Sequence, residues 1–331
     1  MSLAVGTILV SRQEGIGVTP SPFEAICRGD EGIMRIGIVG TDNSHALGFS
    51  RLINLDDRFG RDVRVTVISG SDRREARAIA EETGIRDVVG SPEEMVSEVD
   101  AGIIVDRDGG LHLVHAEPFI SSKVPVLIDK PLATTVADAD AILQRARQEH
   151  SLLTSYSSVR WCEGTRSLQS ELGDFGIVPY AEVSGPCDLA SPYGGHFFYG
   201  IHLAEIALTL FPGPVRRVRV VRGPGVAIVV LHRDESPMLA LNLLDPNSDG
   251  GNARFPFHVT VLGTRRHAAR DIQTEPDLYH ALTQFFTMLN SGKEPLSSEE
   301  MLEPIRVLEA VSYSLEADGA EVTVPRTRTH A

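Results

Sequence analysis

The sequence has little cysteine and no long apolar run. Its three cysteines, Cys27, Cys162 and Cys187, stand far apart among 331 residues and form no CxxC pair. This spacing argues against a disulfide framework or a cysteine zinc site and indicates thiols in a reducing compartment. No hydrophobic stretch reaches the length that a membrane-spanning helix needs. We therefore expect a cytoplasmic protein without a membrane partner.

Positive charge is also scarce. The chain carries 45 acidic against 31 basic residues, a formal net charge of −14. Such a balance argues against a protein that neutralises a nucleic-acid backbone. It does not exclude a single dinucleotide, because the phosphates of one ligand can bind at a helix N-terminus.

The order of apolar segments predicts two domains after an N-terminal extension at residues 1–33. In residues 34–157, strands alternate with helices, a pattern typical of a Rossmann domain with a doubly wound parallel sheet. In residues 158–331, several strands follow one another directly, which predicts an α+β domain with an open, mostly antiparallel sheet. The fold class is therefore α/β for the first domain and α+β for the second.

The predicted elements follow from apolar periodicity and from capping residues. Strands are expected at 36–39, 63–68, 87–89, 101–105, 124–128, 152–156, 178–184, 215–221, 226–231, 238–243 and 257–262. Helices are expected at 46–53, 73–83, 111–121, 136–150, 160–172, 202–210, 276–290 and 298–317. Gly84 is predicted to end the second helix, and Ser91 is predicted to cap a further helix that begins at Pro92.

The turn after the first strand differs from a standard dinucleotide turn. Such a turn has the pattern Gly-x-Gly-x-x-Gly, in which glycines allow close approach of the pyrophosphate and close helix packing. Here Gly40 fills the first place, whereas Asp42 and His45 fill the other two. A cofactor-binding role is predicted for the whole turn, which comprises Gly40, Thr41, Asp42, Asn43, Ser44 and His45. In this hypothesis Ser44 caps the helix and His45 donates to a phosphate; the alternative is a turn that binds no dinucleotide.

The end of the second strand bears on the choice between NAD and NADP. An acid at this point usually holds the adenosine ribose of NAD. Here Asp72 comes late and serves equally well as a helix N-cap, while Ser71 and Arg73 are suited to a 2′-phosphate. The cofactor is therefore predicted to be NAD or NADP, with NADP slightly favoured. The alternative is that Arg73 and Arg74 are solvated surface residues.

Lysine provides only three of the 31 basic residues, and one of them is Lys130, between Asp129 and Pro131 at the end of a predicted parallel strand. Ligands bind at that edge of such sheets. A desolvated lysine can release its proton, whereas arginine effectively cannot. Lys130 is therefore a candidate acid–base and substrate-binding residue.

A second candidate pair lies on a predicted helix. His202 and Glu205 are three residues apart and would share a helical face, so Glu205 could orient His202 as a general base. A histidine buried in the core beside a carboxylate explains the same spacing. A metal site of His196, His202 and Glu205 is a further alternative, although no HExxH motif is present and no metal is expected.

Together these residues resemble the Gfo/Idh/MocA oxidoreductases (glucose–fructose oxidoreductase, inositol dehydrogenase and MocA-like proteins). The resemblance covers nearly everything after Met34. It rests on Gly37-Ile38-Val39-Gly40, Leu111-His112, Asp129-Lys130-Pro131-Leu132-Ala133, Gly200-Ile201-His202 and the closing stretch that contains Ala281-Leu282-Phe285, Ser297-Glu299 and Leu308-Glu309-Ala310.

Three motifs depart from the family pattern and indicate a divergent branch. Asp129 replaces the glutamate of the usual Glu-Lys-Pro motif. In the second-domain motif Asp-x-Gly-x-His-x-x-Asp, Phe198 replaces the first aspartate and Glu205 the last. The strand-four loop, often Thr-Pro-Asn-like beside the nicotinamide, begins at Asp106. Loss of the aspartate at the Phe198 position removes an expected substrate ligand, so the substrate cannot be inferred from the family.

The resemblance implies a dehydrogenase that moves hydride between NAD(P) and a secondary alcohol of a sugar-, inositol- or polyol-like substrate. It implies catalytic roles for Lys130, His202 and Glu205, and cofactor contacts from Asp106, Asp129 and Lys130. Substrate contacts are expected from Lys130, Arg160, Tyr199 and His202, and a homo-oligomer, either dimer or tetramer, is expected. The resemblance thus implies that residues 158–331 form a substrate-binding and oligomerisation domain. The alternative is a non-redox Rossmann protein that binds a nucleotide or sugar phosphate as a sensor.

Overall fold

The computed structural model describes residues 32–56, 58–235, 237–273 and 277–326. The predicted extension at 1–33 falls almost wholly outside the described residues, as do Cys27 and the predicted helix start at Pro276. In the part of the chain that the structure describes, no helix is both long and apolar enough to cross a membrane.

The first half of the chain builds a parallel sheet of six strands within the described residues. These are β1 (Met34–Val39), β2 (Val63–Ser69), β3 (Asp87–Val89), β4 (Ala101–Ile104), β5 (Val126–Ile128) and β6 (Leu153–Ser155). Their order is β3-β2-β1-β4-β5-β6, and every neighbouring pair is parallel. This order is that of the Rossmann fold, so the predicted doubly wound sheet is confirmed.

Four helices connect these strands: α1 (Ser44–Asn54), α2 (Arg73–Thr83), α3 (His112–Ser121) and α4 (Val136–Glu149). The predicted end of α2 at Gly84 is confirmed, because Gly84 adopts a left-handed conformation with φ of 73°. The helix predicted after Ser91 is wrong. Only a single 3₁₀ turn forms at Pro92–Glu94, and the Ser91 side chain makes no capping hydrogen bond.

The helix cap of the first turn also differs from the expectation. Asn43 rather than Ser44 caps α1, and its side chain accepts a hydrogen bond from the His45 amide. Gly40 packs tightly against the start of the strand-four loop. A Cβ at Gly40 would lie 2.5 Å from the Asp106 nitrogen, and Gly40 has a φ of 94°. The turn after β1 thus fits closely between neighbouring strand ends.

The second half of the chain builds a seven-stranded sheet. Its strands are β7 (Tyr180–Pro186), β8 (Arg217–Gly223), β9 (Val226–His232), β10 (Met238–Leu244), β11 (Phe257–Leu262), β12 (His267–Ile272) and β13 (Val322–Thr323). Their order is β12-β11-β7-β10-β9-β8-β13. Only the β7–β10 pair is parallel, which confirms a mostly antiparallel sheet.

Two strands of this sheet lack a clear signal in the sequence. In β12, the exposed positions are His267, Ala269 and Asp271, and they alternate with positions that are partly or fully buried. The short β13 pairs with β8 through only two residues. Neither segment has the apolar alternation on which the prediction of a strand depends.

Four further helices complete the described chain: α5 (Glu163–Glu171), α6 (Phe197–Leu210), α7 (Asp277–Ser291) and α8 (Ser298–Glu316). Helix α6 begins five residues before its predicted start at residue 202. The reason is tertiary, because Phe197 and Ile201 pack into the core of the first half, whereas Leu203 and Ile206 pack into the core of the second. Helix α6 therefore joins the two cores and places His202 between them.

Replacing Gly40 with alanine should destabilise the fold by more than backbone strain alone. Gly84→Ala is the matched control, because Gly84 also has positive φ but open space around its Cβ position. We expect Gly84→Ala to cost about 1–3 kcal/mol, the usual strain of such a conformation. Gly40→Ala should cost more, since its Cβ meets the Asp106 backbone. Urea denaturation measures both, and equal losses would contradict the close fit.

Candidate active site

Lys130 lies at the carboxyl end of β5 and is buried, with 6% of its surface exposed. Its Nζ is 4.0 Å from Asp129 Oδ2 and 4.8 Å from the centre of the Phe198 ring. Phe198 belongs to α6 in the second half of the chain, so the ammonium group sits where the two halves meet. A cation over an aromatic face in this setting is electrostatically favourable.

Asp129 is bound by two residues of the turn after β1. His45 Nδ1 lies 2.8 Å from Asp129 Oδ2, and the Asn43 side-chain amide donates to the same oxygen at 3.3 Å. The residue that the sequence hypothesis assigned to a phosphate thus contacts the neighbour of Lys130. Its ring lies beside that of Phe49, with the two centroids 5.7 Å apart.

The charge of Asp129 is sustained by its neighbours. Burial by itself raises the pKa of a carboxyl group, but the positive charges of His45 and Lys130 hold the pKa of Asp129 well below its usual range. The buried carboxylate is therefore ionised at neutral pH. It offsets the charge of Lys130 inside a site from which water is largely excluded.

Burial lowers the pKa of Lys130, and the nearby Arg107 guanidinium lowers it further, while Asp129 opposes both effects. A lysine of this kind is closer to losing its proton than an exposed lysine. Lys130 can thus hold a hydroxyl oxygen and exchange a proton with it.

His202 lies in the same site, between the rings of Tyr199 and Phe257, whose centroids are 5.5 and 5.3 Å from its own. Its Nδ1 is 2.6 Å from Ser157 Oγ. Burial, together with the charges of Lys130 and His45, lowers the pKa of His202 well below 6.5. His202 is therefore neutral at physiological pH and can accept a proton.

Glu205 does not partner His202, contrary to the sequence hypothesis. Its Oε2 lies 2.7 Å from Arg160 Nε, and both side chains are buried. Burial raises the pKa of Glu205 although Arg160 opposes this shift. Arg160 is thus held in an ion pair within the second half of the chain, and the predicted orienting role of Glu205 does not fit the geometry.

Asp42 does not project its charge freely into the turn. Its Oδ1 accepts a hydrogen bond from the Arg107 amide at 3.2 Å, which ties the turn after β1 to the loop after β4. The first turn of α1 contains no acidic residue. Thr41 contributes a buried hydroxyl that has no hydrogen-bond partner among the described residues. A helix N-terminus with these neighbours fits a dinucleotide pyrophosphate.

The remaining predicted cofactor residues lie around this edge. Ser71 and Arg73 are exposed at the end of β2, and Asp72 caps α2 by accepting from the Arg74 amide. Asp106 Oδ2 is 2.7 Å from His115 Nδ1, and this contact raises the pKa of His115.

The metal alternative does not fit the geometry. His196 Nε2 contacts the Leu308 carbonyl oxygen at 2.8 Å, while His202 faces Ser157 and Glu205 faces Arg160. Within the described ranges, no group of three or more histidine, cysteine, aspartate or glutamate side chains is arranged to hold a metal ion.

Three residues of the site were absent from the sequence hypothesis: Ser157, Arg107 and Tyr193. Arg107 lies over the Tyr193 ring at 4.8 Å from its centroid, and its terminal nitrogen is 3.3 Å from the Tyr193 hydroxyl. The strand-end position of Arg107, directly after Asp106, is the one sequence signal that could have found it. Ser157 and Tyr193 meet their partners only through tertiary contacts.

Residues 34–157 match the Gfo/Idh/MocA family, described as an oxidoreductase family with an NAD-binding Rossmann fold. The predicted resemblance is therefore confirmed for the half that carries Lys130 and the turn after β1. Among curated proteins, none matches the chain.

Solved structures of dehydrogenases share the fold of both halves. A probable dehydrogenase from Thermotoga maritima has a TM-score of 0.73 at 17% identity, over 88% of this chain and 99% of the other. A putative myo-inositol dehydrogenase from Sinorhizobium meliloti gives 0.74 at 15%, over 88% and 100%. A Lactobacillus casei myo-inositol dehydrogenase in complex with NAD(H) and myo-inositol gives 0.73 at 13%, over 90% and 98%. At these identities the likeness establishes the two-part fold.

The Arg160–Glu205 pair predicts a stability effect rather than a change in substrate affinity. Arg160→Met leaves a buried carboxylate without its cation and should cost about 3–5 kcal/mol in free energy of unfolding. The double variant Arg160→Met/Glu205→Leu should recover much of that loss, because it removes both charges. Urea denaturation measures the two variants. If Arg160→Met is as stable as the wild type, the structural role is contradicted and the expected role of Arg160 as a substrate ligand is favoured.

Proposed function

We propose that this protein is an NAD(P)-dependent dehydrogenase that acts on a secondary alcohol of a sugar-, inositol- or polyol-like substrate. The observation that supports the proposal most is the joint position of Lys130 and His202. A lysine and a neutral histidine, both with lowered pKa, face one site where the edge of the Rossmann sheet meets the second half of the chain. This pair can hold and deprotonate a hydroxyl group.

The turn after β1 supports a dinucleotide at this edge. The residues that would hold it are Gly40, Thr41, Asn43 and Ser44, at the N-terminus of α1. Asp42 and His45, the two departures from the glycine pattern, are engaged by Arg107 and Asp129, so neither carboxylate nor imidazole obstructs the helix terminus. When bound, the nicotinamide ring would accept or supply the hydride.

In the proposed reaction, Lys130 holds the substrate oxygen and stabilises the negative charge that develops on it during oxidation. Asp129 keeps the lysine in place, and His45 and Asn43 keep Asp129 in place. The catalytic lysine is thereby coupled to the same turn that would bind the cofactor.

His202 takes the hydroxyl proton at Nε2. For this role Nδ1 must carry a hydrogen and donate it to Ser157 Oγ, which lies 2.6 Å away. In this proposal the Ser157 hydroxyl accepts that hydrogen and holds the ring, so Ser157 is a positioning residue. Glu205 stabilises the helix through Arg160 and has no direct part in the proton transfer.

We propose that NADP serves as the cofactor at least as well as NAD. Ser71 and Arg73 lie exposed where the adenosine ribose would bind, and Asp72 is occupied as a helix cap. Arg73→Ala should then weaken NADPH binding and leave NADH binding unchanged.

Lys130→Met should abolish turnover while nucleotide affinity is retained. The assay is reduction of NAD⁺ or NADP⁺ by a panel of inositols, sugars and sugar acids, followed by absorbance of the reduced nicotinamide. Methionine keeps the apolar stem of the lysine and removes the ammonium group. Lys293→Met, at an exposed position, is the control and should leave the rate unchanged. A Lys130→Met variant with normal turnover would remove this lysine from the mechanism.

The pH profile of alcohol oxidation should reflect the lowered pKa of His202. The neutral form of this imidazole persists below pH 6.5, so the acid limb of kcat/KM should lie below the usual histidine range. Ser157→Ala should reduce kcat, because the ring is no longer held, while nucleotide affinity stays the same. Steady-state rates across the acid range measure both effects, and an acid limb at or above the ordinary histidine pKa would contradict the assignment.

A further inference from the structure

Arg107 is a second cation at the site whose guanidinium has no carboxylate partner within 4.0 Å among the described residues. The three acidic residues near it each bind a group other than the guanidinium. Asp42 accepts from the Arg107 amide, Asp106 contacts His115, and Asp108 accepts from the Gly110 amide. The guanidinium itself stacks on Tyr193 and contacts its hydroxyl. Its charge therefore remains available to a ligand.

The position of this charge points to the substrate rather than to the cofactor phosphates. Tyr193 precedes α6 in the second half of the chain, and its ring centroid is 5.4 Å from that of Phe198. Phe198 in turn lies over the Lys130 ammonium at 4.8 Å. A continuous series of contacts thus leads from Arg107 to Lys130, and the charge of Arg107 is near enough to lower the pKa of that lysine.

The composition of the site is unusual for a neutral polyol. Phe198 occupies the place where the family resemblance leads one to expect an acid, and the one carboxylate beside Lys130, Asp129, is already bound by His45. The substrate side therefore presents Arg107, Lys130 and aromatic rings. Arg107 is the half-buried cation among them without a carboxylate partner in the described residues, and such a charge is best matched by an anionic ligand.

We propose that Arg107, together with the Tyr193 hydroxyl, forms an anion subsite beside Lys130 that binds a carboxylate of the substrate. The substrate class is a sugar acid or polyol acid. This inference rests on the proposed function, because Lys130 marks the reacting hydroxyl. A carboxylate fits the planar fork of one guanidinium through two parallel hydrogen bonds, and the tyrosine hydroxyl provides a third donor.

Matched sugar pairs test the subsite. D-glucuronate and D-glucose, and likewise D-galacturonate and D-galactose, differ only in the carboxylate at one end. With saturating NADH or NADPH, which cannot accept a hydride from the alcohol, calorimetry on the wild type should show at least one acid binding about tenfold or more tightly than its neutral partner, the effect of a charge-assisted pair. Glucose 6-phosphate is the third probe. Preference for the phosphate over both acids would overturn the carboxylate assignment, and so would equal affinity within both pairs.

The variant Arg107→Met should abolish the acid preference, and Arg107→Lys should retain part of it, since it keeps the charge but loses the fork. Arg216→Met, at an exposed arginine bound to Asp234, is the control and should leave the preference intact. Fluorescence titration with NADH and NADPH is run on each variant. If Arg107→Met weakens nucleotide binding and leaves the acid preference unchanged, the arginine binds cofactor phosphate and the proposal is overturned.

The two proposals can fail separately. Absence of nucleotide binding in the wild type would overturn the dehydrogenase function. The acid preference would still be measured by calorimetry without nucleotide, where its loss in Arg107→Met would support the subsite and its persistence would overturn it.

Discussion

The buried carboxylate of Asp129 is the interaction on which the site depends. It lies between the His45 imidazole at 2.8 Å and the Lys130 ammonium at 4.0 Å, and it is ionised although it is removed from water. Without this carboxylate, the buried Lys130 ammonium would lose the anionic neighbour that opposes its desolvation. One acidic group thus holds together the turn after β1 and the strand end that carries Lys130.

This arrangement explains how the residues that depart from the family pattern fit together in one site. His45 stands where glycine is usual and Asp129 stands where glutamate is usual, and the two contact each other directly. Asp42, the other departure, binds the Arg107 amide and so orders the loop that carries the guanidinium. The altered residues form a connected set around the edge of the sheet.

Much of the fold could be predicted from the sequence. The parallel sheet could be predicted because its strands are short apolar runs separated by capped helices. Gly84 marks a helix end by its backbone requirement alone. The edge strand β12 could not be found, since neither of its alternating faces is consistently apolar. For the site, Lys130 was identified from its place at a strand end. The partners of His202 and Glu205 were not, because helical spacing brings the two residues near one another but cannot reveal that Ser157 and Arg160 compete for them.

The central claim is that the altered turn still binds a dinucleotide beside Lys130. Titration of the purified protein with NADH and NADPH, followed by reduced-nicotinamide fluorescence and thermal stabilisation, tests this claim most directly. The account predicts micromolar binding of at least one of the two, accompanied by stabilisation against heat. If neither the reduced nor the oxidised nucleotides bind, the turn has lost the dinucleotide, and a non-redox role for the protein would replace the dehydrogenase proposed above.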